Sequence, residues 1–551
     1  MQYFISRNSI PSQFVNIKLK LSCETGEKVK LQLAAWRPGR YELTNYAQKI
    51  RAFKISHLSK PINWKKQSKD CWTFTADVPG IYEINYEFYA NQMDAGGCWS
   101  DEIQLYLNFS NCLFEINHRE NEAILIQIDF PNNYKVACSL IRQDHTTWSA
   151  KNYQEAIDSP FLASKDLKHY EYSIASSRFH LWFNGSIHFD INELIEVFKG
   201  FTQAQIKDFG DFLADDYHFI FQLLAFKHYH GVEHQYSTVI TIGPDKDLSE
   251  RTLLKELIGV SSHELYHFWN VCRIRPKELI PYSLAQEIYL DAGLVLEGVT
   301  TYMGDLYLLK SGYFDLKEYC EEILQKLFQK EFDSFGWKNQ SISESSGDLW
   351  LDGYKAGIPD KKVSIYNRGA IISLCIDLIL LQKGSSLTKV MKLMWERFGK
   401  TQIGYTMADF QTMIAEAHGE AKVIQDFFES YVFGVADILP LLKQNLEAVG
   451  IQIETVYPEK STLLNNFGIR VAENGLITQV HPDSDAYKNC MIGDKIIESS
   501  IETEKGQTLE ILIERQSRRI NISLPNTESF YFPQFKCRIL SETKWRLDWI
   551  K

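Results

Sequence analysis

Residues 251–270 read RTLLKELIGVSSHELYHFWN. The leucines and the isoleucine of this stretch recur at three- and four-residue steps, which is the period of one face of an α-helix. His263 and His267 are four residues apart, so their imidazoles lie one above the other on a single helical face. Glu264 stands beside the first of them. The stretch therefore predicts an amphipathic helix that presents two imidazoles and a carboxylate together.

The HExxH spacing of this helix is suited to a zinc ion. Two neutral imidazoles at this spacing can bind one Zn²⁺, and the glutamate beside the first can reach the water on the metal. A catalytic zinc site also needs a third protein ligand and keeps one position open. Glu287 and Glu297 both follow the helix, and their spacing from His267 does not decide between them.

The pattern of apolar residues changes twice along the chain. Residues 1–184 contain short alternating segments typical of β-strands, and residues 185–454 place apolar residues at helical steps. Residues 455–530 return to short strand-like runs, and 531–551 form a C-terminal tail. The sequence therefore predicts a multidomain α+β protein, with an N-terminal β domain, a mostly α catalytic domain and a small C-terminal β module.

Composition excludes several classes of protein. Of the 551 residues, 45% are hydrophobic and 23% are charged, which is the balance of a globular protein. The formal net charge of -11 argues against a nucleic-acid partner. The start lacks the pattern of a secretory signal, and the apolar stretch 370–381 is too short to cross a bilayer, so we expect no membrane partner. The ten cysteines form no CxxC pair, and reduced thiols in the cytoplasm are expected.

The metal-helix segment resembles a known family. HELYHFWNVCRIRP at 263–276, followed by LEGVTTYM at 296–303, closely resembles the glycyl aminopeptidase family of gluzincin metallopeptidases. The pattern of that family reads HExxHxWNVKRIRP and then EGFTxYY. The resemblance implies a thermolysin-like catalytic domain with one Zn²⁺ per chain, and it favours Glu297 over Glu287 as the third ligand.

Further segments resemble the same family in the same order, from the β domain to the C-terminus. They are AAWRPGRYELTNYAQKI at 34–50, IDSP at 157–160, GVEHQYSTVI at 231–240, YNRGA at 366–370 and a PDZ-like stretch at 467–500. Cys272 and Val299 depart from the family pattern, whereas every expected ligand and proton-transfer group is present.

The resemblance also implies roles for individual residues. Glu264 acts as the general base, and Tyr366 of the YNRGA segment donates a hydrogen bond to the oxyanion. Glu233 anchors the free α-amine of the substrate. Gly231 belongs to the same substrate-binding segment. The run that follows Glu233, HQYSTVITI at 234–242, reads as a strand that can pair with an extended peptide if it lies at a sheet edge.

The expected activity is removal of N-terminal residues from peptides with a free N-terminus, and the resemblance implies a preference for small ones, Gly and Ala in particular. A zinc endopeptidase would share the metal site but would make no use of Glu233. A non-catalytic protein that binds peptides through the PDZ-like module is the alternative from another class. Blocking the N-terminus of a substrate separates the two enzymes.

Overall fold

A computed structural model describes residues 1–457, 462–500, 508–525 and 529–551 of the chain. The N-terminal part is built of strands. They are β1 Gln2–Ser6, β2 Phe14–Cys23, β3 Lys28–Leu33, β4 Ile50–His57, β5 Lys60–Pro61, β6 Trp64–Ser68, β7 Cys71–Thr75, β8 Gly80–Tyr89, β9 Trp99–Ser100, β10 Gln104–Leu107, β11 Phe114–Ile116, β12 Ile124–Ile128, β13 Lys135–Ala137, β14 Ile141–Arg142, β15 Thr147–Ala150 and β16 Phe161–Ser164.

These strands pair in three sheets, all within residues 1–164. The largest sheet has the order β14-β15-β12-β1-β2-β8-β4-β5, and the smaller sheets run β13-β16-β10-β9 and β11-β3-β7-β6. Alternation explains why these segments are strands. In β2, for example, every second side chain from Val15 to Cys23 is buried, so one face of the strand packs into the core.

A five-stranded sheet follows. Its strands are β17 Lys168–Ile174, β18 Ser177–Asn184, β19 Asp216–Leu223, β20 His228–Glu233 and β21 Ser237–Gly243. Their order is β17-β18-β19-β21-β20, with β18, β19 and β21 parallel to one another. The strand expected at 234–242 thus corresponds to β21, which is an inner strand, and β20 lies at the edge instead. The predicted boundary at residue 184 falls between two sheet neighbours, because β18 pairs with β19, the strand that follows it. The domain boundaries themselves stay predictions.

Helices make up most of the chain between this sheet and residue 448. The helices of the described residues are α1 Tyr153–Ile157, α2 Ile191–Phe209, α3 Arg251–Tyr266, α4 Thr300–Lys310, α5 Leu316–Glu318, α6 Gln325–Phe332, α7 Ile342–Gly347, α8 Leu349–Asp352, α9 Asn367–Leu381, α10 Leu387–Met394, α11 Met407–His418, α12 Ala421–Phe427, α13 Leu439–Ala448, α14 Leu463–Phe467 and α15 Lys544–Ile550. Helix α9 is buried along almost its whole length, as its apolar sequence predicts.

The C-terminal module has its own strands and its own core. The strands are β23 Ile469–Val471, β24 Ile477–Val480, β25 Lys495–Ser500, β26 Thr508–Arg515 and β27 Arg518–Pro525. They are flanked by β22 Ile451–Val456 and β28 Gln534–Ile539, whose buried side chains belong to the larger core. Its apolar cluster includes Phe467, Ile469 and Leu509 and is separate from the core shared by the N-terminal and helical parts. The β module is therefore present, and its PDZ-like character stays a prediction.

The chain returns to the helical part after this module. Strand β28 pairs antiparallel with β22, and α15 then packs on α4 and α9. Trp549 Nε1 donates a hydrogen bond of 2.8 Å to the Tyr302 hydroxyl inside the core. The predicted tail is thus an integral part of the helical region.

The coarse fold prediction is confirmed, because a β-rich N-terminal part precedes a mostly helical region in one α+β chain. Among the helices of the described ranges, none combines the length and the apolar character that crossing a bilayer requires.

Candidate active site

Helix α3 and the turn after it hold two imidazoles close together. His263 lies in the last turn of α3 and His267 caps the helix, with their ring centroids 4.7 Å apart. Nδ1 of His267 lies 2.8 Å from the carbonyl oxygen of Asn270. Since a carbonyl only accepts, Nδ1 carries the proton and Nε2 keeps a free lone pair. This bond fixes the tautomer that a metal ligand requires.

Hydrogen bonds connect the turn after α3 to the segment that contains Glu297. The Asn270 amide donates to the carbonyl oxygen of Val295 at 2.7 Å and to the Thr300 hydroxyl at 2.9 Å. The following residue, Val271, has a φ of 104°, a left-handed conformation that β-branched residues rarely adopt. Such strain persists where the surrounding contacts over-determine it, commonly at functional sites. The bonds of Asn270 supply those contacts here.

Glu297 lies in a π-helical turn, Leu294–Val299, directly before α4. Its Oε2 is 3.5 Å from Nε2 of His263 and 3.5 Å from Nε2 of His267. The next residue, Gly298, packs its backbone directly against Gly369 at the start of α9, where neither has room for a Cβ. This close helix crossing explains both glycines and sets the position of Glu297.

The two imidazoles and this carboxylate fit a divalent cation. Their ligand atoms lie within 4.8 Å of one another. Within the described part of the chain, the buried Oε2 of Glu297 has no hydrogen-bond partner, so its lone pairs are free. Burial opposes ionisation of Glu297, but its interactions with His267 and His263 outweigh it and hold the pKa of Glu297 below its usual range. Two nitrogens and one oxygen are a donor set that suits Zn²⁺.

Glu264 lies beside this group and is itself buried. Its Oε2 has no hydrogen-bond partner among the described residues, and burial raises the pKa of Glu264 well above its usual range. Gly231 of β20 faces the carboxyl group so closely that a Cβ at this position would clash with it. Because residue 231 has no side chain, strand β20 can lie directly against the carboxylate of Glu264.

Gly231→Ala is expected to lower kcat by about 100-fold, because the added methyl group displaces the Glu264 carboxylate from its position. The melting temperature should change little, since β20 lies at the edge of its sheet. Steady-state kinetics and a thermal melt check both. Gly347→Ala is the matched control, since a Cβ there meets nothing closer than 4.0 Å. An unchanged kcat in Gly231→Ala would contradict the contact.

Glu233 ends strand β20 and forms a second group with Glu264 and His267. The ligand atoms of these three residues also lie within 4.8 Å of one another. Glu233 is 9% exposed, and burial raises its pKa against the opposing charge of His267. A third buried carboxylate thus lies beside the metal-binding group.

Two segments outside the metal helix hold Glu233 in place. Asp158 of the DSP turn bonds Nδ1 of His234 at 3.0 Å and the backbone N–H of Gln235 at 2.9 Å, which fixes the chain just after Glu233. From the N-terminal β domain, Gly39 approaches the carboxylate so closely that a Cβ there would clash with it. Gly39 has a φ of 78°, so both its conformation and its neighbour exclude a side chain.

These residues line a cleft of about 820 Å³ between the N-terminal and helical parts. Arg40 and Asp94 of the N-terminal part line it together with His263, Glu264, His267 and Glu297. Arg37, three residues before Arg40, is 3% exposed, and its Nη2 has no hydrogen-bond partner among the residues described. The sequence assigned no role to these side chains, although Arg37 and Arg40 belong to the segment 34–50 that resembles the family, because only the fold brings this segment to the cleft.

Three tyrosines line the same cleft, namely Tyr229 on β20, Tyr354 and Tyr366. Tyr366 lies at the N-terminus of α9 and lines the cleft with Glu297, and burial raises its pKa well above its usual value. Its hydroxyl therefore stays protonated. Tyr354 also lines the cleft, and its hydroxyl accepts a hydrogen bond of 3.2 Å from the backbone N–H of Tyr41. Tyr354 was missed from the sequence because it is one of 28 tyrosines and belongs to no recognised segment.

The competing third ligand lies elsewhere. Glu287 belongs to the loop that packs on the N-terminal domain, where Trp36 Nε1 donates to the carbonyl oxygen of the neighbouring Gln286 at 2.8 Å. It does not line the cleft in the described part of the chain, whereas Glu297 does. The structure thus brings His263, His267 and Glu297 together and leaves Glu287 outside, while the ligand roles stay predictions.

Two family models match the chain. The Peptidase M61 N-terminal domain matches residues 2–165, and M61 glycyl aminopeptidase matches residues 256–372. Together the two ranges take in about half of the chain. Comparison with curated proteins gives no match.

Solved structures share the fold. The aminopeptidase N family protein from Idiomarina loihiensis matches with a TM-score of 0.89 and 23% identity, over 100% of both chains. An M1 zinc metallopeptidase from Deinococcus radiodurans matches with a TM-score of 0.50 and 12% identity, over 79% of this chain and 94% of that chain. At these identities the likeness concerns the fold alone.

Proposed function

The chain belongs to the M61 glycyl aminopeptidase family and is thus a metallo-aminopeptidase, and from this premise we propose which residues carry the reaction and which substrates they take. The reaction is hydrolysis of the first peptide bond of peptides that have a free N-terminus. The observation that carries the proposal is the third buried carboxylate, Glu233, beside Glu264 and His267.

One zinc ion per chain is held by His263, His267 and Glu297. The free lone pair on Nε2 of His267 and the unpaired Oε2 of Glu297 support this assignment. When bound, zinc supplies Lewis-acid chemistry, lowering the pKa of a coordinated water and polarising the scissile carbonyl.

Glu264 transfers the protons during the reaction. Its carboxylate accepts a proton from the attacking water and later gives a proton to the nitrogen of the leaving amine. Burial and the lack of a competing hydrogen-bond partner support this role, because the carboxylate is free to exchange protons with the substrate. Gly231 leaves room for this carboxylate next to strand β20.

Glu233 binds the α-ammonium group of the substrate. A buried carboxylate that lies within 4.8 Å of the ligand atom of His267 allows only one residue between the amine and the scissile bond. Strand β20, which pairs with β21 and has no other neighbour among the described strands, offers its free main-chain groups to an extended peptide. An endopeptidase has no need of such an anchor.

Tyr366 donates a hydrogen bond to the oxyanion that forms when water attacks the carbonyl. Tyr366→Phe is expected to lower kcat by about 100-fold with little change in KM, because the lost bond exists only in the transition state. Steady-state kinetics measure kcat and KM separately. Tyr354→Phe removes the hydroxyl of another cleft tyrosine and should lower kcat less. A larger loss in Tyr354→Phe than in Tyr366→Phe would transfer the role to Tyr354.

Two finer features follow from the family resemblance. The preferred N-terminal residues are small, glycine and alanine in particular. The C-terminal module at 455–530 is PDZ-like, and the separate apolar core of its described residues supports an independently packed β module.

Mass spectrometry of a short peptide beginning with alanine tests the function. The zinc-loaded protein should release single N-terminal residues, a chelator should stop the release, and added Zn²⁺ should restore it. Internal fragments as the first products would point to an endopeptidase. No cleavage by the zinc-loaded protein would favour a non-catalytic peptide-binding protein.

A further inference from the structure

A second group of metal-binding side chains lies on the five-stranded sheet. His169 and Glu171 are two residues apart on the edge strand β17, so their side chains share one face. His180 on β18 pairs directly across from Glu171. Of the residues that line the catalytic cleft in the described ranges, none belongs to this group. The group is therefore distinct from the active site.

The distances within the group suit a single small cation. Nε2 of His169 is 3.0 Å from Nδ1 of His180, and that Nδ1 is 3.7 Å from Oε2 of Glu171. All three ligand atoms lie within 4.8 Å of one another. Ligand atoms around one tetrahedral zinc ion are about 3.3 Å apart, given metal–ligand bonds of about 2.0–2.1 Å. Small rotations of the exposed Glu171 side chain close the remaining gap.

His180 is held in the tautomer that leaves its inner nitrogen free. Its Nε2 lies 2.8 Å from Oδ1 of Asp216 on β19, and Arg178 pairs with the same carboxylate at 2.9 Å. The carboxylate accepts a hydrogen bond from Nε2–H, so Nδ1 of the neutral imidazole keeps its lone pair toward His169. A carboxylate that orients a histidine in this way is the usual companion of a metal-ligating imidazole.

The ring of His169 is also fixed in place. It stacks on the Trp182 ring with centroids 3.9 Å apart and planes 18° apart. Trp182 in turn donates its Nε1 hydrogen to Nδ1 of His218 at 3.1 Å. Both imidazoles are thus oriented before any ligand arrives, which lowers the entropy cost of binding.

We propose that His169, Glu171 and His180 form a second metal site, which takes a divalent transition-metal ion of the zinc type. Two imidazoles and one carboxylate suit Zn²⁺ better than the all-oxygen preference of Ca²⁺ or Mg²⁺. The exposed side of the group leaves a position open to water. A bound ion ties the edge strand β17 to β18 and stabilises the folded chain in proportion to its binding.

Equilibrium dialysis against Zn²⁺ with metal analysis of the full-length protein tests the proposal. The unaltered protein should bind two ions, and further zinc should raise its melting temperature after the catalytic site is filled. His169→Phe keeps the stacking on Trp182 and removes one ligand, so it should bind one ion at the same zinc concentration. His188→Phe, the same change at an exposed histidine outside the group, should keep two.

Asp216→Asn supplies a second measurement. It leaves the three ligands in place but disturbs the His180 tautomer, and zinc affinity of the second site should fall by about 10- to 100-fold. A stoichiometry of one ion in the unaltered protein would overturn the proposal. Equal zinc binding by the unaltered protein and His169→Phe would also overturn it, leaving the group as a hydrogen-bonded chain from His169 to Asp216.

Discussion

Glu264→Gln is expected to lower kcat by about 10²- to 10⁴-fold while the protein keeps its zinc. Gln has the shape of Glu but does not accept a proton at neutral pH. Glu264 is buried, and its Oε2 has no hydrogen-bond partner among the described residues, so no described side chain competes for its carboxylate. Loss of the proton acceptor therefore removes general-base catalysis and leaves the fold unchanged.

Metal analysis separates this effect from loss of the ion. Glu264 is not one of the three proposed ligands, so Glu264→Gln should contain as much zinc as the unaltered protein. Glu278→Gln, the same substitution at an exposed glutamate, is the control and should keep full activity. If kcat were retained in Glu264→Gln, or if zinc were lost together with activity, the general-base role would be wrong.

Glu233→Gln is expected to lower kcat/KM for substrates with a free amine by about 100-fold or more. Removing one partner of a buried, hydrogen-bonded charge pair costs about 2–5 kcal/mol, much of it because the other charge is left unpaired. Gln keeps the volume and the hydrogen-bonding oxygen, so the change removes the negative charge alone. The loss should appear mainly as weaker binding of the ammonium group.

A matched pair of substrates makes this prediction specific. Alanyl-p-nitroanilide and propionyl-p-nitroanilide differ by the α-amino group, and the unaltered protein should strongly prefer the first. In Glu233→Gln this preference should largely disappear, because the propionyl compound never used the carboxylate. Asp94→Asn tests the carboxylate that the N-terminal part contributes to the cleft. If Asp94→Asn abolishes the preference and Glu233→Gln keeps it, Asp94 is the amine anchor.

Local patterns in the sequence predict the elements of this fold well. The helical period around 251–270 predicts α3, and the apolar stretch 370–381 predicts a buried helix. Alternation in the first 164 residues predicts strands, and the structure has them. Each of these features depends on the side chains of one segment, so one segment is enough to reveal it.

Pairing between distant segments is not visible in the same way. The alternation of residues 168–184 indicates strands but not their partner, and the structure pairs Ser177–Asn184 with Asp216–Leu223. The last residues read as a tail, and Trp549 forms a hydrogen bond inside the helical core. Partner choice depends on three-dimensional packing, so these contacts are not visible in a local pattern.

In the candidate site, too, a local pattern predicts some of the residues and does not predict others. His263 and His267 are adjacent on one helix, so their spacing alone predicts that they meet. The choice between Glu287 and Glu297 depended on family resemblance, because the chain between helix and ligand can follow many paths. No role in the cleft was predicted for Arg40 and Asp94, since they come from the N-terminal part of the chain.

The most direct test of the account compares kcat/KM for alanyl-p-nitroanilide and its N-acetylated form with the zinc-loaded protein. A buried carboxylate anchor predicts that the acetylated substrate is cleaved about 100-fold more slowly or not at all. Equal rates for the two substrates would contradict the aminopeptidase site and indicate an endopeptidase. If neither substrate nor any N-terminal peptide bond is cleaved, the assignment of a working catalytic group to His263, Glu264, His267 and Glu297 is wrong.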